Sequence, residues 1–103
     1  MASYTESAEV LLEATGLDPN QDTVEHLLIF IEALRIYQVR SEQYGDIWKK
    51  AGAVEMYYNA FRKSRRIWNV ITQQGNKITI EDDALDVLNY VIFGMRCARM
   101  GSM

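Results

Sequence analysis

The chain has 103 residues, of which 49% are apolar, with a formal charge of −3 and a sequence pI near 5.1. This length suits one domain and this apolar content supports a core, so two domains and wholesale disorder are excluded. The negative charge makes nucleic-acid binding driven by bulk charge an unfavourable interpretation, and the longest apolar run, residues 27–31, is far shorter than the roughly 20 residues that span a bilayer.

The first predicted helix covers residues 6–15. Thr5 precedes it as a plausible N-cap, because its hydroxyl can accept a hydrogen bond from an early amide. Gly16 follows it as a plausible left-handed C-cap. The next residues, 17–21 (LDPNQ), contain the single proline of the chain and have the composition of a turn.

The second predicted helix is the longest. Asp22 and Glu25 have the spacing of a capping box, which predicts a helix start at Thr23. The helical pattern then continues to about Tyr44, where Gly45 ends or bends the helix. Residues 46–50 are expected to add one further turn.

Two more helices complete the predicted order. The third covers residues 53–73 and stops at Gln74, Gly75 and Asn76. Residues 77–80 (KITI) have the composition of a short extended segment. Thr79 is the expected cap of the last helix, which carries acidic residues at its start and reaches about Arg99.

The predicted fold is therefore an all-α bundle of four main helices, forming a single helical domain over residues 1–103. Residues 1–21 form an N-terminal helix and loop, and residues 22–100 form the core helices. On a helical wheel, the last helix is expected to bury one broad apolar face, consisting of Ala84, Leu85, Val87, Leu88, Val91, Ile92 and Met95.

Apolar residues also lie on the opposite faces of the second and the last helix. A small monomer has little use for two apolar faces on one helix. We therefore expect a homo-oligomer, most simply a two-fold dimer that completes a larger bundle.

The segment EDDALDVLNY (81–90) contains the strongest candidate site. Asp83 and Asp86 are three residues apart, so their carboxylates share one helix face and repel each other unless a cation relieves the repulsion. Mg²⁺ prefers such oxygen ligands. Tyr90 continues the stripe and is suited to base stacking or to a phosphate hydrogen bond, with Asn89 at its edge. The alternative is that these acids only complement the helix dipole and are solvated.

The cations of the segment FRKSRR (61–66) do not form one basic stripe when the segment is placed on a helix. Lys63 and Arg66 fall on one flank of the helix, whereas Arg65 falls on the other. Lys63 and Arg66 could hold phosphate oxygens, the arginine in a bidentate manner. The alternative is that both cations form salt bridges with acids of neighbouring helices.

The segment SEQYGDIWKKAG (41–52) concentrates acidic, aromatic and basic groups at a helix end. Glu42 and Asp46 are candidate metal-site acids, and Lys49 is a candidate phosphate contact. Tyr44 and Trp48 are expected to anchor the turn, and their polar atoms need partners. The alternative is a helix end with ordinary charges.

Two reactive residue types occur once each. His26 is the only histidine, and its wheel position favours a core or interface residue over a ligand or general base. Cys97 excludes an internal disulfide and a cysteine-based zinc site, and it fits a reducing compartment. The N-terminal residues are acidic where a secretory signal would carry lysines. A cytoplasmic location follows as the expectation.

Three short motifs in this order resemble the nucleotide modification associated domain 1 family. They are E-x-x-Y-G-D-x-W at 42–48, K-x-x-R-I at 63–67 and D-D-A-L-D-V-L-N-Y at 82–90. That family, common in phages and bacteria, is in turn similar to the MazG-like all-α NTP pyrophosphatases. Those enzymes are helical oligomers that use Mg²⁺ to hydrolyse nucleoside triphosphates to monophosphates and pyrophosphate.

From the resemblance and the residues together we expect a Mg²⁺-dependent nucleotide site. The expected metal ligands are Asp83, Asp86 and Asp46. The expected catalytic residues are Asp83, Asp86 and Glu42. The expected substrate-binding residues are Lys49, Lys63, Arg66, Trp48, Asn89 and Tyr90.

The chain departs from the MazG-like enzymes in one respect, because it lacks their Glu-Glu-x-x-Glu motif. Hydrolysis of nucleotides and nucleotide binding without hydrolysis therefore both remain open. A third alternative is a non-enzymatic helical interaction protein, such as a phage accessory factor that binds a host or virion protein. A DNA-binding regulator ranks last because of the net charge and the divided basic run.

Overall fold

A computed structural model of the chain describes residues 2–73 and 78–103, with side chains described for 5–73 and 80–103. The described residues form five helices and no strand. In chain order the helices are α1 (Ala2–Ala14), α2 (Gln21–Tyr44), α3 (Trp48–Ala51), α4 (Ala53–Thr72) and α5 (Ile78–Arg99). The all-α prediction is confirmed. No helix in this part of the chain is both long and apolar enough to cross a membrane.

Gly16 ends α1 as its sequence position predicts. Its φ of 80° lies in the left-handed region, where a side chain would be strained. The amide of Leu17 donates to the carbonyl of Leu12 at 2.9 Å, and the amide of Gly16 donates to the carbonyl of Glu13 at 3.1 Å. This pair of bonds is a Schellman motif, which satisfies carbonyls that the helix end would otherwise leave unpaired.

Both N-terminal helices begin earlier than the sequence analysis predicts. α1 begins at Ala2, so Thr5 lies inside the helix rather than capping it. α2 is capped by Asn20, whose side chain accepts from the amide of Thr23 at 3.0 Å, while the Thr23 hydroxyl accepts from the Asn20 amide at 3.0 Å. Asn20 and Thr23 thus form the capping box that was expected from Asp22 and Glu25.

The α2–α4 connection turns at two glycines. Gly45 ends α2 with a φ of 71°, as predicted, and Gly52 precedes α4 with a φ of 93°. A Cβ on Gly52 would lie 2.9 Å from the carbonyl carbon of Met103. The chain after α5 comes this close because the amide of Ala53 donates to the carbonyl of Ser102 at 2.9 Å. These last residues thereby satisfy free amides at the start of α4.

The predicted turn at 74–76 and Lys77 lie outside the described residues. The expected extended segment is wrong for residues 78–80, which belong to α5. Thr79 therefore lies inside α5 instead of capping it. Three successive β-branched residues favour a strand only where a neighbouring strand can pair with them, and the described part of the chain contains none.

The helices pack in the spatial order α1, α2, α5, α4, with α3 against both α4 and α5. The antiparallel pair of α4 and α5 forms the most extensive contact. Because the backbones of α2 and α4 do not approach each other closely in the described residues, the four long helices lie side by side, and the predicted bundle is not closed within one copy. α2 and α5 each have a long helix on two sides, and α5 takes part in the most extensive of these contacts, so its buried face carries the centre of the fold.

Two separate clusters form the core. The smaller one joins α1 to α2 and consists of Ala8, Leu12 and Val24, with Leu27 and Leu28 packed against it. The larger one joins α3, α4 and α5 and consists of Trp48, Ala53, Met56 and Cys97, with Tyr37, Ala51, Tyr90 and Phe93 packed against it.

The most deeply buried residues of α5 do not lie on the predicted face. Asp83, Asp86, Asn89 and Cys97 are buried. Of the expected apolar face, Val91, Ile92 and Met95 are exposed and the remaining four residues are half-buried. The polar stripe can face inward because α2 and α4 supply partners for its charged and amide groups, as described below. An apolar pattern alone therefore assigned α5 the wrong face.

Candidate functional site

Asp83 and Asp86 lie side by side on α5 and are both buried. The ammonium group of Lys63, which reaches across from α4, lies 3.4 Å from Asp83 Oδ1 and 3.2 Å from Asp86 Oδ2. One cation thus bridges two carboxylates that the helix spacing places together. The alternative of a solvated acidic pair is wrong, because both carboxylates are buried, and their pairing with Lys63 offsets the cost of that burial.

Two arginines flank the bridging lysine. Arg66 Nε on α4 lies 3.1 Å from Asp83 Oδ2, and Arg40 Nη1 on α2 donates to Asp86 Oδ1 at 2.8 Å. The Arg40 and Arg66 side chains are 55% and 58% exposed. We call these five residues the ionic network. Its three cations and two carboxylates leave one formal positive charge, and the two exposed guanidinium groups carry it to the surface.

Asp83 Oδ2 is the least satisfied atom of the ionic network. It is buried, and no group in the described residues donates a well-oriented hydrogen bond to it. Arg66 Nε is at ion-pair distance, so the contact supplies charge attraction without an aligned N–H. The alternative given for Lys63 and Arg66, salt bridges to acids of a neighbouring helix, is therefore observed, with Asp83 and Asp86 as the acids.

The described residues are a poor fit for the predicted metal ion. In this part of the chain, no three histidine, cysteine or carboxylate side chains come together. Lys63 lies between the two carboxylates, in the position that a bridging cation would need. Glu42 is exposed near the end of α2, and the Asp46 carboxylate is bonded elsewhere. A Mg²⁺ ion would have to displace Lys63 and find its remaining ligands in solvent or substrate.

Asp46 organises the turn between α2 and α3. Its Oδ1 accepts hydrogen bonds from Ser41 Oγ at 2.7 Å, from the Tyr37 hydroxyl at 3.1 Å and from Trp48 Nε1 at 3.4 Å. Lys49 Nζ lies 3.2 Å from Oδ2. We call this set the Asp46 cluster. Tyr37, which precedes Gly45, and Trp48, which follows it, thus both donate to the same carboxylate.

These donors lower the pKa of Asp46 from 3.8 to about 2. The Ser41 hydrogen bond is the largest cause, and Lys49 and Tyr37 act in the same direction, while partial desolvation opposes them. Each of these groups favours the charged form of the carboxylate, which is why the shift is downward. Asp46 is therefore a stable anion of the turn, and its oxygens are engaged by the chain itself.

A cavity of about 260 Å³ opens between the end of α2, the following turn and α5. Its wall is largely aromatic, with Arg40, Asp86 and Asn89 as the charged and amide groups. The residues lining it are Tyr37, Arg40, Ser41, Tyr44, Gly45, Ile47, Trp48, Asp86, Asn89, Tyr90 and Phe93. The cavity thus joins the ionic network, through Arg40 and Asp86, to the Asp46 cluster, through Tyr37, Ser41 and Trp48.

Trp48 is part of the cavity wall, but its ring faces are covered. The Phe93 ring is stacked on it at 4.6 Å with an interplanar angle of 12°, and the Arg96 guanidinium lies 4.5 Å from the ring centroid. Trp48 is also buried as a whole, so little of its ring surface is free for a ligand. Tyr44 has the most free ring surface in the cavity because it is exposed, and Tyr90 is half-buried, as are Tyr37 and Phe93.

The remaining predicted binding residues divide into two groups. Asn89 and Tyr90 line the cavity, and Asn89 Nδ2 also donates to the carbonyl of Ala33 at 2.9 Å, which fixes α5 against α2. Lys49 is paired with Asp46 and does not line the cavity.

Sequence reasoning missed Arg40, Tyr37 and Ser41 as site residues. With Tyr44 they are spaced at i, i+3, i+4 and i+7 along α2, so they share one face of the helix. That stripe was visible in the sequence. Its facing partner was not, because the bond from Arg40 to Asp86 joins residues 46 positions apart.

A scan against protein-family models, a search of curated proteins and a search of solved structures found no match for this chain.

Proposed function

We propose that the chain binds a nucleotide, with the base in the cavity and the phosphates at Arg40. The observation that carries this proposal is that an aromatic wall and an excess cation meet at one opening. Tyr44 and Tyr90 offer ring surface on which a base can stack, which contributes about 1–3 kcal/mol per base at single-stranded sites. Arg40 offers a planar guanidinium whose remaining donors match phosphate oxygens.

The size of the cavity limits what it can enclose. About 260 Å³ lies just below the usual range of small-molecule pockets, about 300–1,000 Å³. A base with its sugar is therefore enclosed, and a polyphosphate extends outward. Arg40 is paired with Asp86, and Arg66 is paired with Asp83, which lies one turn of α5 away. A polyphosphate that starts at Arg40 can therefore reach Arg66 as a second guanidinium.

Charge balance favours an anion over a metal ion as the first ligand. The ionic network already has more cations than carboxylates, and an approaching phosphate would be attracted to the surplus. Mg²⁺-dependent pyrophosphohydrolysis stays a prediction. It requires Asp83 and Asp86 to exchange Lys63 for the metal, which a triphosphate could favour by drawing the lysine toward itself. Association of the chain into a homo-oligomer is likewise still a prediction.

Calorimetric titration with AMP, ADP and ATP, each with and without Mg²⁺, tests the proposal. Arg40→Gln should weaken binding about tenfold or more, because a hydrogen bond to a charged group is worth about 1.5–3 kcal/mol. Arg62→Gln is the matched control, since Arg62 is an exposed arginine on α4 outside the network. Equal affinities of both variants, or no binding of any nucleotide, would overturn the proposal.

The same samples separate binding from hydrolysis. Pyrophosphate release from ATP that depends on Mg²⁺ would establish the enzymatic form, whereas binding without release would establish a nucleotide-binding protein. The second candidate function, a helical interaction protein, is favoured by one separate observation: the exposed apolar side chains of α4, among them Phe61 and Trp68.

A further inference from the structure

α4 carries two apolar stripes, and α5 covers only one of them. The covered stripe contains Ala53, Met56 and Ala60, which are buried, and continues to Lys63 of the ionic network. The second stripe is shifted by one residue and has the 3-4-3-4-3 spacing of a coiled-coil seam. It consists of Val54, Tyr57, Phe61, Ser64, Trp68 and Ile71, all of which are exposed.

α5 continues this surface. Ala84, Leu88, Val91, Met95 and Ala98 are spaced by four, three, four and three residues, and the last three are exposed. Tyr57 connects the two helices, because its ring lies against Gly94, where an added Cβ would be only 2.7 Å from Tyr57 Cε1. The seams of α4 and α5 therefore lie on the same side of the helix pair, and we call their combined surface the α4–α5 face.

We infer that the α4–α5 face is the surface through which two copies of this chain associate. Two antiparallel helices with one shared apolar face are half of a four-helix bundle, and a second identical pair supplies the other half by a two-fold axis. This assigns a surface to the homo-oligomer that the sequence predicts, and it does not depend on nucleotide binding.

The exposed area matches what a stable dimer needs. The seven large apolar residues of the face are 36% to 65% exposed; they are Val54, Tyr57, Phe61, Trp68, Ile71, Val91 and Met95. A fully exposed aromatic side chain has an area of about 150–250 Å², and an aliphatic one somewhat less. Multiplied by the exposed fractions, these areas give an exposed apolar surface of about 700 Å² per copy. A standard specific interface buries about 800 Å² per partner.

The side chains along the α4 seam also suit pairing of α4 with an antiparallel copy of itself. A two-fold axis between Phe61 and Ser64 places each Phe61 opposite the small Ser64 of the second copy. The same axis places Tyr57 opposite Trp68 and Val54 opposite Ile71. Large then meets small, ring meets ring and aliphatic meets aliphatic, which is the interdigitation that close packing requires.

Sedimentation equilibrium of the full chain over a wide range of concentrations tests the inference. We expect wild type to reach twice the 11.9 kDa monomer mass, and Trp68→Glu to remain monomeric with an unchanged helical circular dichroism spectrum. Trp68 is 65% exposed, so its substitution leaves the fold of one copy intact.

Leu34→Glu is the matched control, because Leu34 is a similarly exposed apolar residue on α2. It should dimerise as wild type does. Phe61→Glu provides a second disrupting variant on the same seam, should Trp68→Glu lose helicity. A wild-type chain that is monomeric at all concentrations would overturn the inference. So would a dimer that survives both seam substitutions, or one that Leu34→Glu dissociates.

Discussion

The ionic network and the Asp46 cluster both surround buried or half-buried carboxylates, but they are built differently. The ionic network takes its members from three helices, and its contacts join residues 17 to 46 positions apart. The Asp46 cluster takes all its members from within nine residues of Asp46. The first therefore holds α2, α4 and α5 together, whereas the second shapes one wall of the cavity.

Because the two sets differ in burial, the loss of one partner should lower the free energy of unfolding more in the ionic network than in the Asp46 cluster. The carboxylates of the network are withdrawn from water, so loss of a partner leaves a buried charge that water does not readily compensate. The Asp46 carboxylate is in contact with solvent, and water can replace a lost donor there. Removal of Lys63, the least exposed cation of the network, should therefore lower stability most, whereas substitution of the exposed arginines or of Asp46 should lower it less.

The largest expected effect follows from removal of Lys63. Lys63→Met leaves two adjacent buried carboxylates without their shared cation, and the free energy of unfolding should fall by about 3–5 kcal/mol. Urea unfolding measures this change. Arg62→Met, at the neighbouring exposed position, should change the free energy of unfolding by less than about 0.5 kcal/mol. Equal effects of the two substitutions would mean that the network does not hold the helices.

A smaller effect, with a characteristic pH dependence, is expected for Asp46→Asn. The pKa of Asp46 is lowered in the folded chain, so an unfolded chain takes up the proton first as the pH falls. The stability that the carboxylate contributes is therefore complete above about pH 4 and is lost as the pH falls toward about 2. The difference in stability between wild type and variant should shrink over that range, as measured by urea unfolding at each pH. A difference that stays constant would contradict the assigned role of Asp46.

The smallest expected effect is that of Arg66→Gln. The Arg66 side chain is more than half exposed, so the free energy of unfolding should change by less than about 1 kcal/mol. Nucleotide affinity should nevertheless fall for ATP more than for AMP, because only the longer polyphosphate reaches Arg66. Titration calorimetry distinguishes the two ligands, and an equal loss for both would place the phosphates elsewhere.

The helices themselves could be predicted well from the sequence. Gly16 and Gly45 end α1 and α2 where their positions indicate, because the left-handed conformation is a local property of glycine. Helix starts were less predictable. Asn20, Asp22 and Thr23 are all good capping residues within four positions, and local chemistry does not rank them.

The candidate site could be predicted only in part. Asp83, Asp86, Lys63 and Arg66 were identified individually, because their spacing on a helix is visible in the sequence. Their mutual pairing, and the addition of Arg40, depends on which helices become neighbours. The packing order of α2, α5 and α4 is a tertiary property, and the apolar pattern of α5 points to the wrong buried face for that reason.

The chain contains two tryptophans, and they lie in the two places that matter most: Trp48 in the cavity wall and Trp68 on the α4–α5 face. Their indole N–H resonances can be followed together in a ¹⁵N-labelled sample at constant protein concentration while ATP is added. Binding of the nucleotide in the cavity should shift the Trp48 resonance with a saturable dependence on ATP and leave the Trp68 resonance in place. A Trp48 resonance that does not move, or a shift confined to Trp68, would contradict binding in the cavity.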